Sequence, residues 1–317
     1  MIIITGGAGF IGSNLVRALN MAGREDLIVV DDMSDGNKFR NIVDSVIEDY
    51  LDIDEFRKVM ESNIELGNID VIFHQGACSD TTEQDGRFMM DNNYRYSKQL
   101  LHYSLQRKIP FIYASSAAVY GTGNKFIEQV SYEKPINVYA YSKLLFDNYV
   151  RRIIKNGDSQ VVGLRYFNVY GPGESHKGAM ASVAYHLNNQ LLESGKLSLF
   201  EGNEGYEPGE QQRDFIHVDD AVAINLWFML EAQHSGIFNV GTGTARSFND
   251  VAKSVIQWHK KGTINYIEFP EKLKGSYQSF TKANLKHLRK VGCDHHCKTL
   301  EAGMNDYLNW LNLNHAS

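Results

Sequence analysis

Cysteine is scarce: only Cys78, Cys293 and Cys297 occur in 317 residues. So few thiols, and an odd number of them, exclude a disulfide scaffold and point to a reducing compartment. Proline is scarcer than usual at 5, and no Ser/Gly tract is present, so no flexible linker separates domains. Long apolar runs are missing. The longest uncharged apolar stretch, near Ala221–Leu230, is about half of what a membrane crossing needs. Basic excess is missing too: 32 Lys+Arg against 38 Asp+Glu leave a net charge of −6, a poor basis for gripping nucleic acid. Met1-Ile2-Ile3-Ile4 runs directly into glycines, with no charged segment and cleavage site of a secretory signal. These absences lead us to expect a soluble, cytoplasmic protein with no nucleic-acid partner and no membrane insertion.

What is present is an ordinary globular composition, 43% hydrophobic and 22% charged, enough for one large domain or two intimate ones. Short β-rich apolar runs at Ile2–Thr5, Leu27–Asp31, Val71–His74, Phe111–Ser115 and Val161–Phe167 read as buried strands. Helix-length patterns at Ser13–Ala22, Phe88–Gln106 and Tyr139–Ile154 alternate with them. That rhythm predicts an α/β fold with a doubly wound parallel sheet covered on both faces. Beyond Asn168 the rhythm breaks into isolated strands (Ile216–Val218, Ile237–Val240) and helices (Ala221–Leu230, Phe248–Trp258, Thr299–Trp310), as expected of a smaller region covering the sheet's carboxyl end.

Gly7-Ala8-Gly9-Phe10-Ile11-Gly12 fits G-x-G-x-x-G, and Gly6 precedes it. The motif follows a strand and opens a helix, the setting in which backbone N–H groups at a positive helix end receive a pyrophosphate. Asp31 closes the second strand, where a carboxylate can bind an adenosine ribose. Lys38 is placed to meet a 2′-phosphate, whereas Asp32 would repel one.

Tyr139-Ala140-Tyr141-Ser142-Lys143 holds Tyr-x-x-x-Lys, which puts phenol and ammonium on one helix face a turn apart. An ammonium there is expected to favour phenolate and lower the tyrosine pKa. Such a tyrosine accepts a hydroxyl proton while hydride leaves the same carbon. Ser116, after the Phe111–Ser115 strand, supplies an orienting hydroxyl; Ser115 is the alternative, and strand geometry lets only one of the two face inward.

These stretches, Thr5 to Gly12, Ser116 ahead of Val119-Tyr120-Gly121, and Tyr139-x-x-x-Lys143, resemble the extended short-chain dehydrogenase/reductases. The resemblance narrows to family members that epimerise an ADP-heptose at C6. It rests there on Gly76-Ala77-Cys78-Ser79, Met89-Met90-Asp91-Asn92-Asn93-Tyr94, Arg165-Tyr166-Phe167-Asn168-Val169-Tyr170-Gly171-Pro172, His176-Lys177-Gly178 and Lys272-Leu273-Lys274-Gly275. It implies a Rossmann NAD(P)-binding domain over residues 1–167 and a nucleotide-sugar domain over 168–317, packed closely together. It implies an isomerase that oxidises C6 to a ketone and returns hydride to the opposite face, supplying heptose for the lipopolysaccharide inner core. The implied cofactor is NADP, with NAD the alternative, and the implied assembly is a homo-oligomer, a pentamer being one candidate.

Residue by residue, the resemblance implies that Ser116, Tyr139, Lys143 and Lys177 are catalytic, Tyr139 on one face of the sugar carbon and Lys177 on the other. It implies cofactor contacts at Gly6, Gly9, Phe10, Ile11, Gly12, Asp31, Asp32, Lys38, Gln75, Gly76, Ala77, Cys78, Ser79, Asn92, Lys143, Val169 and Lys177. It implies nucleotide-sugar contacts at Asn168, Ala179, His186, Phe200, Glu201, Gly202, Asn203, Arg213 and Tyr277; a guanidinium at 213 suits a diphosphate. The sequence departs from the family pattern at Asp32 (Asn in relatives), Ile53 (a basic residue) and Ala179 (Ser), and the first two remove help for a 2′-phosphate. Ala117 and Ala118 follow Ser116 where related dehydratases carry an acid. Another nucleotide-sugar epimerase, or a non-catalytic cofactor-binding scaffold, are the alternative readings. Cys293-Asp294-His295-His296-Cys297 lacks the spacing of a zinc site and reads as a surface turn, so no metal is expected.

Overall fold

The computed structural model describes every residue except 63, 65, 155–158, 272–276 and 314–317; the stretch 272–275 quoted above thus lies outside the described residues. Strands are β1 Ile2–Thr5, β2 Leu27–Asp31, β3 Asp49–Asp52, β4 Val71–His74, β5 Phe111–Ser116, β6 Val161–Tyr166, β7 Asn168–Tyr170, β8 Lys196–Phe200, β9 Gln212–Arg213, β10 Phe215–His217, β11 Gly236–Val240, β12 Arg246–Ser247 and β13 Thr263–Ile267. Helices are α1 Phe10–Met21, α2 Ile53–Glu61, α3 Gly86–Met89, α4 Tyr96–Arg107, α5 Val138–Ile153, α6 Val183–Ser194, α7 Val218–Leu230, α8 Phe248–His259, α9 Lys286–Lys290 and α10 Leu300–Leu313.

Seven parallel strands form the main sheet in the order β11-β6-β5-β4-β1-β2-β3. Ile2, Ile4, Val29 and Phe73 face a core shared with Leu15, Val16, Ala221 and Phe228 of α1 and α7. Ile3, Ile28, Val30 and Ile72 face the other side, against Phe56, Leu100, Leu101, Phe146 and Val150 of α2, α4 and α5. Alternate side chains of each strand therefore bury against helices on both faces, which is why these strands read as continuous apolar runs. A second lobe collects Leu187 and Leu191 of α6, Leu197 and Leu199 of β8, Val251 and Val255 of α8, and Met304, Tyr307 and Leu308 of α10.

Three features differ from the sequence reading. The edge strand β3, Asp-Tyr-Leu-Asp, was invisible to an apolar pattern because an edge strand is only partly covered. The expected helix Phe88–Gln106 is interrupted: a π-helical segment, Met90–Arg95, separates α3 from α4. The sheet also does not end at residue 167. Strand β11 pairs with β6 from Gly236↔Val162 to Val240↔Tyr166, so the second half of the chain supplies the seventh strand and the helix α7 that covers it.

Candidate active site

Strand order reverses between β4 and β1, and the loops after these two strands open a crevice at the sheet's carboxyl end. Gly6 adopts φ +70°, and a Cβ there would lie 2.4 Å from the Gly76 amide nitrogen. At Gly12 a Cβ would lie 2.0 Å from the Gly6 carbonyl oxygen. The loop thus closes on itself and against residue 76 only because these positions are glycine. Asp31 is built into this turn: one carboxylate oxygen accepts from Ala8 N at 2.8 Å, the other from Asp32 N at 2.7 Å and Lys38 Nζ at 2.9 Å. Beneath, buried His74 joins Thr5 Oγ1 (2.6 Å) to Ser97 Oγ (2.8 Å). Burial pushes that imidazole down to about 3, so it is a neutral strut.

Asn137 caps α5 by accepting from Ala140 N at 2.8 Å, which sets the helix so that Tyr139 and Lys143 share a face at the end of β5. Tyr139 hydrogen-bonds Ser116. Ser115 faces away and donates to buried Asp147 at 2.9 Å, which resolves the choice between the two serines geometrically. Lys143 Nζ donates to the Ala114 carbonyl at 2.9 Å. Burial lowers its pKa to about 8, against the opposing pull of Asp147. The expected lowering of the tyrosine pKa does not occur: burial pushes Tyr139 upward, and the Ser116 bond offsets this only partly. Desolvation of a phenolate dominates in this pocket, and the Cys78 thiol beside it pushes the same way.

Ser116, Tyr139, Lys143 and Lys177 line one cleft of about 460 Å³, together with Gly6, Gly9, Phe10, Ile11, Gly12, Asp31, Lys38, Gln75, Gly76, Ala77, Cys78, Ser79 and Val169. Asp32 and Asn92 lie instead in a contiguous recess bounded by Asp31, Lys38, Ile53 and Phe88. Lys177 comes from the segment after β7, its ammonium 5.3 Å from the centre of the Phe10 ring, and burial lowers its pKa.

The expected sugar-site residues do not line this cleft. Arg213 is buried between the Tyr277 ring (4.7 Å) and the Phe248 ring (5.5 Å), and Phe269 stacks edge-on with both Phe200 and Tyr277. Among the described residues no carboxylate pairs with Arg213. Asn203 Nδ2 is buried nearby in sequence without a hydrogen-bond partner. Glu201, Gly202, Asn168 and Ala179 are exposed, and His186 lies 3.4 Å from the Ala179 carbonyl.

Sequence reasoning missed Asp147, Glu174, Tyr166 and His176. Tyr166 ties Gln75 to Asn225 at 3.0 and 2.8 Å; the Arg-Tyr-Phe-Asn motif containing it was the available signal. Of the Cys293–Cys297 run, His295 and Cys297 meet Asp220, with ligand atoms within 4.8 Å of one another, and His295 Nε2 lies 2.8 Å from Asp220 Oδ1.

Residues 2–241 match the NAD dependent epimerase/dehydratase family. The chain belongs to it. Among solved structures, it resembles the ADP-L-glycero-D-manno-heptose-6-epimerase of Helicobacter pylori at 32% identity and TM-score 0.86, over 98% of this chain and 96% of that one. It resembles the UDP-glucose 4-epimerase of Thermotoga maritima, solved with UDP-glucose, at 27% identity and TM-score 0.83, over 98% of both chains. The Thermus thermophilus UDP-glucose 4-epimerase in complex with NAD shares the fold, at 23% identity and TM-score 0.80 over 98% of this chain and 99% of that one. Members of the epimerase/dehydratase family work with a nicotinamide cofactor, and the glycine turn, the Asp31 carboxylate and the cleft leading to Tyr139 fit one.

Proposed function

We propose that the protein interconverts ADP-D-glycero-β-D-manno-heptose and ADP-L-glycero-β-D-manno-heptose, through a ketone at C6, to supply heptose for the lipopolysaccharide inner core. The observation that carries this reading is that two proton-transfer groups from separate segments, Tyr139 and Lys177, line the same cleft. Returning hydride from one nicotinamide to the other face of the ketone requires the sugar carbon to turn, and a second proton-transfer group in the cleft serves the oxygen in its second orientation. A nicotinamide held by the glycine turn supplies hydride acceptance and return. Tyr139, hydrogen-bonded to Ser116, takes or gives the hydroxyl proton on one face, and Lys143 supports it with positive charge. Lys177 does the same on the other face. Ala117 and Ala118 offer no acid for a dehydratase's elimination of water.

Arg213 is the expected diphosphate grip, since a buried guanidinium that pairs with no carboxylate among the described residues calls for an anion. Tyr277, Phe200 and Asn203 would complete that end of the site. For the cofactor, the recess favours NAD over NADP: Lys38 is already neutralised by Asp31, Asp32 adds a second carboxylate, and Ile53 offers no cation. Denaturing the protein and identifying the released nucleotide distinguishes the two.

Incubating the cofactor-loaded protein with the D,D-epimer and resolving the sugars should yield both epimers at equilibrium. No interconversion, or faster turnover of UDP-glucose, refutes the reading.

A further inference from the structure

Lys177 lies between β7 and α6 on a short 3-10 turn, Ser175–Met180, that is broken at Gly178. Gly171, Gly173 and Gly178 take φ of +142°, +89° and +52°, turns that glycine allows and that leave the path of the segment to be set by its contacts. One side chain gathers its two ends. Glu174 is buried at 1% exposure, and one carboxylate oxygen accepts from Gly171 N at 3.2 Å and Ser182 Oγ at 2.7 Å, while the other accepts from Ser182 N. Its carbonyl accepts from Lys177 N at 3.0 Å. Among the described residues it pairs with no Lys, Arg or His within 4.0 Å. A buried carboxylate satisfied by backbone and hydroxyl donors, not by a cation, serves as a tie-point for the chain.

The segment is also latched to the cofactor turn. Asn14 Nδ2 donates to the Pro172 carbonyl at 2.7 Å, and Asn41 Nδ2 lies 2.9 Å from the Ala8 carbonyl and 3.1 Å from His176 Nδ1. We infer that Glu174 is a positioning residue for the reaction: it gathers the 171–182 segment so that Lys177 is held over Phe10 at the mouth of the glycine turn. The role rests on Lys177 acting as the second proton-transfer group, as proposed above.

Two readouts test this on the full-length, cofactor-loaded protein. The first needs no substrate. Timed acetylation with an N-hydroxysuccinimide ester, read by mass spectrometry, should label Lys177 more slowly than exposed Lys260 in the unaltered protein, because the cleft and the bound cofactor shield it from reagent. In Glu174→Gln the Lys177 rate should approach that of Lys260, with Ser182→Ala intermediate. Unchanged Lys177 labelling in a folded Glu174→Gln overturns the inference. The second readout is turnover: Glu174→Gln should lower kcat as much as Lys177→Met does, with the KM for nucleotide sugar within about threefold, since only the proton-transfer group is displaced. Loss through KM alone, or full activity of Glu174→Gln where Lys177→Met is inactive, also overturns it. If Lys177→Met is itself fully active, the proton-transfer reading fails, while the labelling still decides whether Glu174 holds the segment. Should Glu174→Gln not fold, the partial release in Ser182→Ala carries both readouts, and labelling like the unaltered protein there overturns the inference.

Discussion

In the proposed reaction Tyr139 gives up a proton in surroundings that favour its neutral form. The Ser116 hydroxyl relieves this only in part, and removal of the phenol itself should cost the most. Tyr139→Phe is expected to lower kcat by about 10²–10⁴-fold while nicotinamide still co-purifies, measured by epimer assay and by absorbance of the released nucleotide. Lys143 gives the pH dependence. Burial lowers its pKa to about 8, so the charged form prevails below that value and is lost above it. The kcat/KM of the free enzyme should therefore fall as pH rises past about 8, and Lys143→Arg, which keeps its charge, should move that limb upward. An unchanged limb would detach Lys143 from the activity. At the glycine turn, Gly12→Ala would force a Cβ within 2.0 Å of a carbonyl oxygen, and loss of co-purified nucleotide is the expected outcome.

At the scale of elements, α5 carries Tyr139, Lys143 and Asp147 one turn apart on one face. Asp147 and Arg165 are both fully buried and paired at 2.8 Å; Tyr113 and Ser115 also donate to Asp147, and Glu133 and Tyr120 hold the other side of Arg165. The pair locks the helix that carries Tyr139 and Lys143 to β5 and β6. Asp147→Ala leaves a guanidinium buried without one of its partners and should cost about 3–5 kcal/mol, read by urea denaturation. This helix shows how far a sequence can be read. Tyr139 and Lys143 were legible because their spacing is a chemical motif, and the glycine turn because its glycines answer to a backbone geometry. Asp147 and Glu174 were not, since a buried tie-point and a solvated surface acid look alike until the fold brings donors to them. The π-helical segment at Met90–Arg95 escaped for a similar reason: its composition suits an α-helix, and the extra residue per turn is set by packing. Asn93 shows the result, its side chain reaching Cys78 N at 2.8 Å and Ser142 Oγ at 3.2 Å.

At the scale of the molecule, the two halves of the chain share one sheet. Strand β11 and helix α7 complete a layer begun some 75 residues earlier at β6, and buried Tyr120 bonds Asn239 of β11 at 2.7 Å. A fragment of residues 1–167 therefore lacks an outer strand and the helix over Phe73 and Val29, and it should not unfold cooperatively by circular dichroism, whereas the whole chain should show one transition. Two transitions in the whole chain, or a sharp one in the fragment, would make the halves independent. The net charge of −6 belongs at this scale too. It offers no general attraction to an anionic nucleotide sugar, so the proposed substrate would rely on local positives such as Arg213 and the start of α1.

The borrowed strand also has a history in time. While the protein is being made, β6 leaves the ribosome long before Gly236–Val240 does, and for that interval its backbone donors and acceptors on one side have no strand to meet. An open parallel edge of Val-Val-Gly-Leu-Arg-Tyr invites pairing with another nascent chain. Slowing translation between the two strands should therefore lower the yield of soluble protein.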